Sequence, residues 1–180
     1  PWAYVVIISV PANRCKDALE RLLQDRKKHD NLKQPCGEIG WSDLSKKGAK
    51  TKIARDWLQR LASEHDLWRF TILGIDTSQL VMPAFGDGFG HQQFNVYKRF
   101  YRSCLAYHVA SLSRRHDLVE VVRCYHDTEG KLEQDDWFKW HAQMRITNER
   151  SNVNFVCREV TFVHSDHRRE DKNPLASHFI

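Results

Sequence analysis

Two carboxylates stand in settings that suit a hard divalent cation. Glu38 lies in Glu38-Ile-Gly-Trp41, a short extended stretch, and Asp127 closes an apolar run through Val119, Val121, Val122 and Cys124. Mg²⁺ and Mn²⁺ take oxygen ligands, and Mg²⁺ keeps several waters. Two such ions about 3.5–4 Å apart can activate a water and stabilise a leaving oxygen. That chemistry needs carboxylates on adjacent rigid strands, and an acidic residue at a strand end lies at the sheet rim where α/β folds gather ligands. Without the chemistry, Asp127 caps a turn and Glu38 is an exposed edge residue. Asp76, at the end of its own strand, is a third candidate ligand that reads more readily as structural.

Other chemistries are less well supplied. His164-Ser-Asp-His167 offers two imidazoles, with no cysteine or acidic partner at zinc spacing. His126 alternates to the face opposite Asp127 and could orient a substrate. There is no G-x-S-x-G elbow for a serine nucleophile. Pro83-Ala-Phe-Gly-Asp-Gly-Phe-Gly90 has neither G-x-G-x-x-G spacing nor a Walker lysine-serine pair, so it reads as a mobile loop beside a site.

Cations gather at Lys46, Lys47, Lys50, Lys52 and Arg55, at Arg99, Arg102, Arg114 and Arg115, and at Arg168-Arg169. Groups of this kind neutralise phosphates and release counterions, although each also reads as a solvated helix face. The first cluster directly follows Glu38–Trp41, which places it beside the proposed carboxylate site.

The elements that must position these residues can be read from periodicity. Ala3 to Val10 is rich in Val and Ile, stops at Pro11, and reads as a buried strand. Asn13 is a candidate cap for a helix with Cys15, Ala18, Leu19, Leu22 and Leu23 inward and Arg, Lys and Asp on the other face. Ile53, Ala54, Trp57, Leu58 and Leu61 mark a second amphipathic helix, and Trp68 to Ile75 a strand ending at Asp76. Phe94 to about His116 is a helix with an aromatic core stripe. Leu118 to Tyr125 is a strand, Trp137 to Met144 a helix, and Val153 to Val163 a last strand. Alternating strands and helices predict an α/β sandwich around a central sheet.

Composition bounds the rest. The 180 residues, 41% apolar with six Trp and nine Phe, suffice for the core of one domain. The net charge of +5 leans toward a polyanionic partner. Five scattered cysteines without C-x-x-C read as reduced thiols of a cytoplasmic protein. No run is long enough to span a bilayer, so no membrane partner is expected. The strand-like start at Pro1 and the apolar close at Leu175–Ile180 read as a fragment cut at both ends.

The order of these elements, with Glu38-Ile-Gly-Trp41, the tyrosine-rich Phe94-Asn-Val-Tyr97-Lys-Arg-Phe100-Tyr101 and the strand-end Asp127, resembles the DUF3800 family over nearly the whole chain. The resemblance implies a ribonuclease H-like fold, a mixed sheet flanked by helices, and Mg²⁺- or Mn²⁺-dependent phosphodiester cleavage. Glu38 and Asp127 map onto two of about four acidic positions of the family. Gly40 replaces its common lysine, and its first and last acidic motifs are not in this sequence. The expected function is therefore a metal-dependent nuclease with Glu38 and Asp127 as metal ligands and Lys46, Lys47 and Lys50 steering nucleic acid. Two alternatives stay open. One is a non-catalytic nucleic-acid- or partner-binding module of the same fold; the other is a hydrolase of small phosphorylated metabolites with an enclosed pocket.

Overall fold

The structure is a computed structural model that describes residues 1–29, 39, 44, 47–127 and 130–163. It is a mixed α/β chain whose described residues group into two compact units. The first comprises Pro1–Ile8, Phe70–Cys124 and Gly130–Val160. The second comprises the described parts of Ser9–Arg69, Tyr125–Glu129 and Thr161–Ile180. Length and composition predicted one domain; the two units are interleaved along the sequence.

In the first unit, β1 (Trp2–Ser9) pairs with β2 (Arg69–Asp76). The Thr77 N–H donates to the Pro1 carbonyl at 2.9 Å, so the start of β1 meets the end of β2 as in an antiparallel pair. Val5 and Ile75 are buried. The α3 helix (Phe89–Ser113) lies on this side, and the Cys104 thiol reaches the carbonyls of Val5 and Thr71 at 3.6 and 3.9 Å. Tyr101, Cys104, Leu105, His108 and Val109 are buried at helical spacing, as the stripe predicted.

The glycine-rich segment is tied to α3. A 3-10 turn at Met82–Phe85 leads into Gly86 and Gly88, both at positive φ, where a side chain would be strained. Asn95 Nδ2 donates to the Phe85 carbonyl at 2.8 Å and Gln92 Nε2 to that of Gly86 at 2.7 Å. Gly90 already belongs to α3.

β3 (Val119–Val121) pairs in parallel with β5 (Val153–Phe155), Val119 opposite Val153. Parallel strands need a crossover. It includes α4 (Gly130–Glu133), a π-helical turn at Trp137–His141 and α5 (Ala142–Glu149). Phe138 of that turn is fully buried, its ring 4.7 Å from Tyr101 and 6.2 Å from Tyr97. Asp135 accepts the Phe138 N–H at 2.8 Å and pairs with Lys98 at 3.0 Å. The Lys98 ammonium stands 4.8 Å from the rings of both Phe94 and Trp137.

His108 is 2% exposed and shares a 3.0 Å hydrogen bond with the Thr71 hydroxyl. Burial pushes its pKa below the ordinary value because the charged ring is disfavoured away from water. The unfolded chain therefore binds the proton more readily, and stability falls as pH drops below about 6.5. We expect the thermal midpoint to decline from pH 7 to pH 5, and His108→Gln to make that decline shallower. An equally steep decline in the variant would place the pH sensitivity elsewhere.

The second unit is built on α1 (Cys15–His29), preceded by a 3-10 turn at Ala12–Arg14, and α2 (Ala49–Ser63). Asn13 lies inside that turn rather than capping it, and the Arg14 N–H donates to the Pro11 carbonyl at 2.8 Å. Ala18, Leu22, Leu67 and Trp68 form a core with Val10, Trp57 and Leu61 packed against it. Asp25 and Arg26, expected on the solvent face of α1, are buried. Arg60 of α2 donates Nε and Nη2 to Asp25 and Nη1 to Glu64 at 2.7 Å. Glu64 also pairs with Arg21 at 3.1 Å, and Asp17 with Arg21 at 2.9 Å and Arg14 at 2.7 Å.

This unit also contains β4 (Tyr125–Asp127), parallel to β6 (Thr161–Val163). The expected central sheet is thus, among the described residues, three two-stranded pairs. The Leu118–Tyr125 and Val153–Val163 runs each break into two short strands. The Val121 carbonyl takes both the Val156 and Cys157 N–H groups, at 3.0 and 3.3 Å, which ends the β3–β5 ladder. Among the described residues no helix is long and apolar enough to cross a membrane.

Candidate functional site

Asp127 does end a strand, β4, opposite Val163 in the parallel register. It is half-buried, and no hydrogen bond or ion pair holds its carboxylate among the described residues. His126 alternates to the other face, as predicted. It is 9% exposed, with its ring 5.6 Å from that of Phe162 and Nδ1 2.6 Å from the Asp127 carbonyl. A carbonyl only accepts, so Nδ1 carries the proton in this contact. His126 therefore braces the strand end behind Asp127.

Glu38 and Lys46 lie outside the described residues, as do His164, His167, Arg168 and Arg169. Among the described residues, no three His, Cys, Asp or Glu side chains converge as a metal-binding group. Asp127 alone fits a hard cation only in part, as one available oxygen ligand. Glu38, the other expected ligand, is not among the described residues. Asp76 is structural: its carboxylate accepts from Ser78 N–H at 3.0 Å and Ser78 hydroxyl at 2.7 Å, and these bonds hold its pKa below the usual range.

Lys47, Lys50, Lys52 and Arg55 surround the first turns of α2. Lys47, Lys52 and Arg55 are exposed, and Lys50 is half-buried. The first turn contains no acidic side chain, and the N-cap residue, Gly48, has no side chain with which to cap it. A helix N-terminus carries partial positive charge, so cations there are disfavoured by about 0.3–1 kcal/mol each, and anions are favoured. Arg114 and Arg115 stand at the C-terminal end of α3, where the dipole favours them. Arg99 and Arg102 lie over the rings of Phe85 and Trp137, at 5.7 and 5.8 Å. Among the cation clusters on described residues, the one on α2 alone opposes its own helix.

A groove of about 380 Å³ runs along the outer side of the same helix, lined by Leu44, Thr51, Ala54, Arg55 and Leu58 among others. The helical stripe assigned Ala54 and Leu58 to the core with Ile53, Trp57 and Leu61. Leu58 is instead 61% exposed, while Ile53 is fully buried. Its place at the margin of a wide apolar stripe was the available signal.

A cysteine nucleophile finds no support in the first unit. Cys124 is half-buried, with its sulfur 3.6 Å from the Tyr101 hydroxyl, and desolvation pushes its thiol up to about 11. Burial raises Cys104 and Cys157 as well. The thiolate is the reactive form, so these are poor nucleophiles at neutral pH. Cys15, Cys104, Cys124 and Cys157 are free thiols, and Cys36 lies outside the described residues. No protein-family model, curated protein or solved structure matches the chain.

Proposed function

We propose that this chain binds the phosphate backbone of nucleic acid at the N-terminal end of α2. We further propose that it serves a metal-dependent nuclease of ribonuclease H-like type, with Glu38 and Asp127 as carboxylate ligands for Mg²⁺ or Mn²⁺. The observation that carries the reading is the gathering of Lys47, Lys50, Lys52 and Arg55 at the N-terminal end of α2, where the helix dipole favours an anion and the first turn holds no acidic side chain. Lys47 and Lys50, with Lys46 before them, would meet successive phosphates. The groove along Thr51, Ala54 and Leu58 gives a sugar or base an apolar wall. A divalent cation at Asp127 would supply an activated water and charge on the leaving oxygen. Reduced thiols and the charge balance fit a cytoplasmic setting. The binding module without chemistry is the second reading, favoured because cations at a helix N-terminus can hold a phosphate without a metal.

Anisotropy titrations of labelled single-stranded and duplex DNA and RNA over a salt series test the binding step. Lys47→Ala/Lys50→Ala should weaken binding about tenfold and reduce the log–log salt slope by about two. An unchanged slope would sink the α2 assignment. Manganese calorimetry separates the two readings: heat lost in both Glu38→Gln and Asp127→Asn supports the nuclease, and no heat in the parent leaves the binder.

A further inference from the structure

β1 reads as a near-continuous apolar run, the pattern of a strand covered on both faces. Among the described residues only one face of the β1–β2 pair is covered, by α3. On the other, Trp2 is 63% exposed, Tyr4 62%, Val6 49%, Ile8 36%, Phe70 42% and Ile72 55%. These residues alternate along the two strands, so all six project from one side. Gly74 completes the row, and a Cβ there would meet the Tyr4 ring at 3.3 Å and the Trp2 ring at 3.5 Å. The Trp2 and Tyr4 rings are stacked, their planes 19° from parallel and their centroids 6.4 Å apart. The result is a flat apolar slab belonging wholly to the first unit.

We propose that this face is the self-association surface of the protein, covered by the same face of a second copy. Charge excludes a nucleic-acid strand despite the aromatic rings. No Lys or Arg projects from this side of either strand, and Asp76, on the same side by alternation, borders it next to Trp2. Single-strand platforms pair their aromatics with a cationic groove. A face without a cation, whose polar groups are the Trp2 indole N–H and the Tyr4 hydroxyl with Asp76 at its border, is instead suited to its own copy, and homodimer interfaces are the more apolar class.

The area agrees. An aromatic side chain buries about 150–250 Å², so at these exposures the six side chains hold roughly 500 Å² of open apolar surface. Two copies stacked face to face, with sheets about 10 Å apart, remove roughly 1,000 Å² in total, the lower bound for a specific interface. Any patch can meet itself across a two-fold axis, which closes the assembly at two. A weak, concentration-dependent dimer follows.

Sedimentation of the full chain from roughly 1 to 300 µM, the range such a minimal interface calls for, should show the mass rising toward that of a dimer. Ile72→Lys and Tyr4→Lys, which place like charges opposite one another at the two-fold, should weaken association at least tenfold. Near-UV circular dichroism at low concentration checks that the variants remain folded. Hydroxyl-radical labelling of Trp2 and Tyr4 in the parent needs no variant and should fall as concentration rises. A parent that stays monomeric overturns the proposal, whether its rings are labelled throughout or protected throughout by another part of the chain. A dimer that survives both lysines, or one whose rings label equally at all concentrations, also overturns it.

Discussion

Phe138→Ala should destabilise the first unit by about 4 kcal/mol, within the ~3–5 kcal/mol range for emptying a buried phenyl site. Phe138 has no exposed surface, and its ring fills the space between Tyr101 and Tyr97. It sits on a π-helical turn anchored by Asp135, which accepts the Phe138 N–H and is itself paired with Lys98. The site cannot collapse easily, because Lys98 is wedged between Phe94 and Trp137 beside it. Aromatic pairs add about 0.5–1.5 kcal/mol beyond area, which the alanine also loses. Phe138→Leu keeps most of the volume and should cost roughly 1.5 kcal/mol. Urea unfolding followed by near-UV circular dichroism, which reports this tyrosine cluster, measures both. A Phe138→Ala loss below that of Phe138→Leu would mean the ring is not the keystone of α3 and the turn.

Asp25→Ala should cost the second unit about 3 kcal/mol, the lower end of the ~3–5 kcal/mol seen when one member of a buried pair is removed. The Asp25 side chain is 9% exposed, and its carboxylate takes two of the guanidinium nitrogens of Arg60, itself 24% exposed. That contact raises the Arg60 pKa well above its ordinary value. Without Asp25 a mostly buried cation keeps only Glu64, which is shared with Arg21. Replacing both partners by apolar residues, Asp25→Leu with Arg60→Met, should cost less than Asp25→Ala alone, because no buried charge is orphaned. Hydrogen exchange of α1 and α2 amides reads the difference within this unit. A cost under about 1 kcal/mol for the single variant would show that water reaches the pair and screens it.

Much of the helical framework was legible locally. The spacing of Ala18 and Leu22, of Ile53, Trp57 and Leu61, and of Tyr101, Leu105 and Val109 marks three helices whose inward stripes are the ones packed. Pro11 ends the first strand because it can neither donate nor follow the ladder. Asp127 at a strand end and the cations before Ile53 were equally visible, since residue type and order are properties of the chain itself.

What a strand pairs with, and what a helix face meets, depends on residues far away in sequence. One apolar run from Leu118 to Asp127 became two strands because its partner has five residues, 156–160, where it has three, 122–124. Asp25 looked like a solvent residue until Arg60, thirty-five positions on, gave its charge a buried partner. Leu58 looked like core until α1 covered only the Trp57 side of α2. Periodicity states how wide an apolar face is; tertiary packing decides how much of that face is used. The same limit applies to β1, whose sequence asks for cover on both sides while α3 supplies it on one.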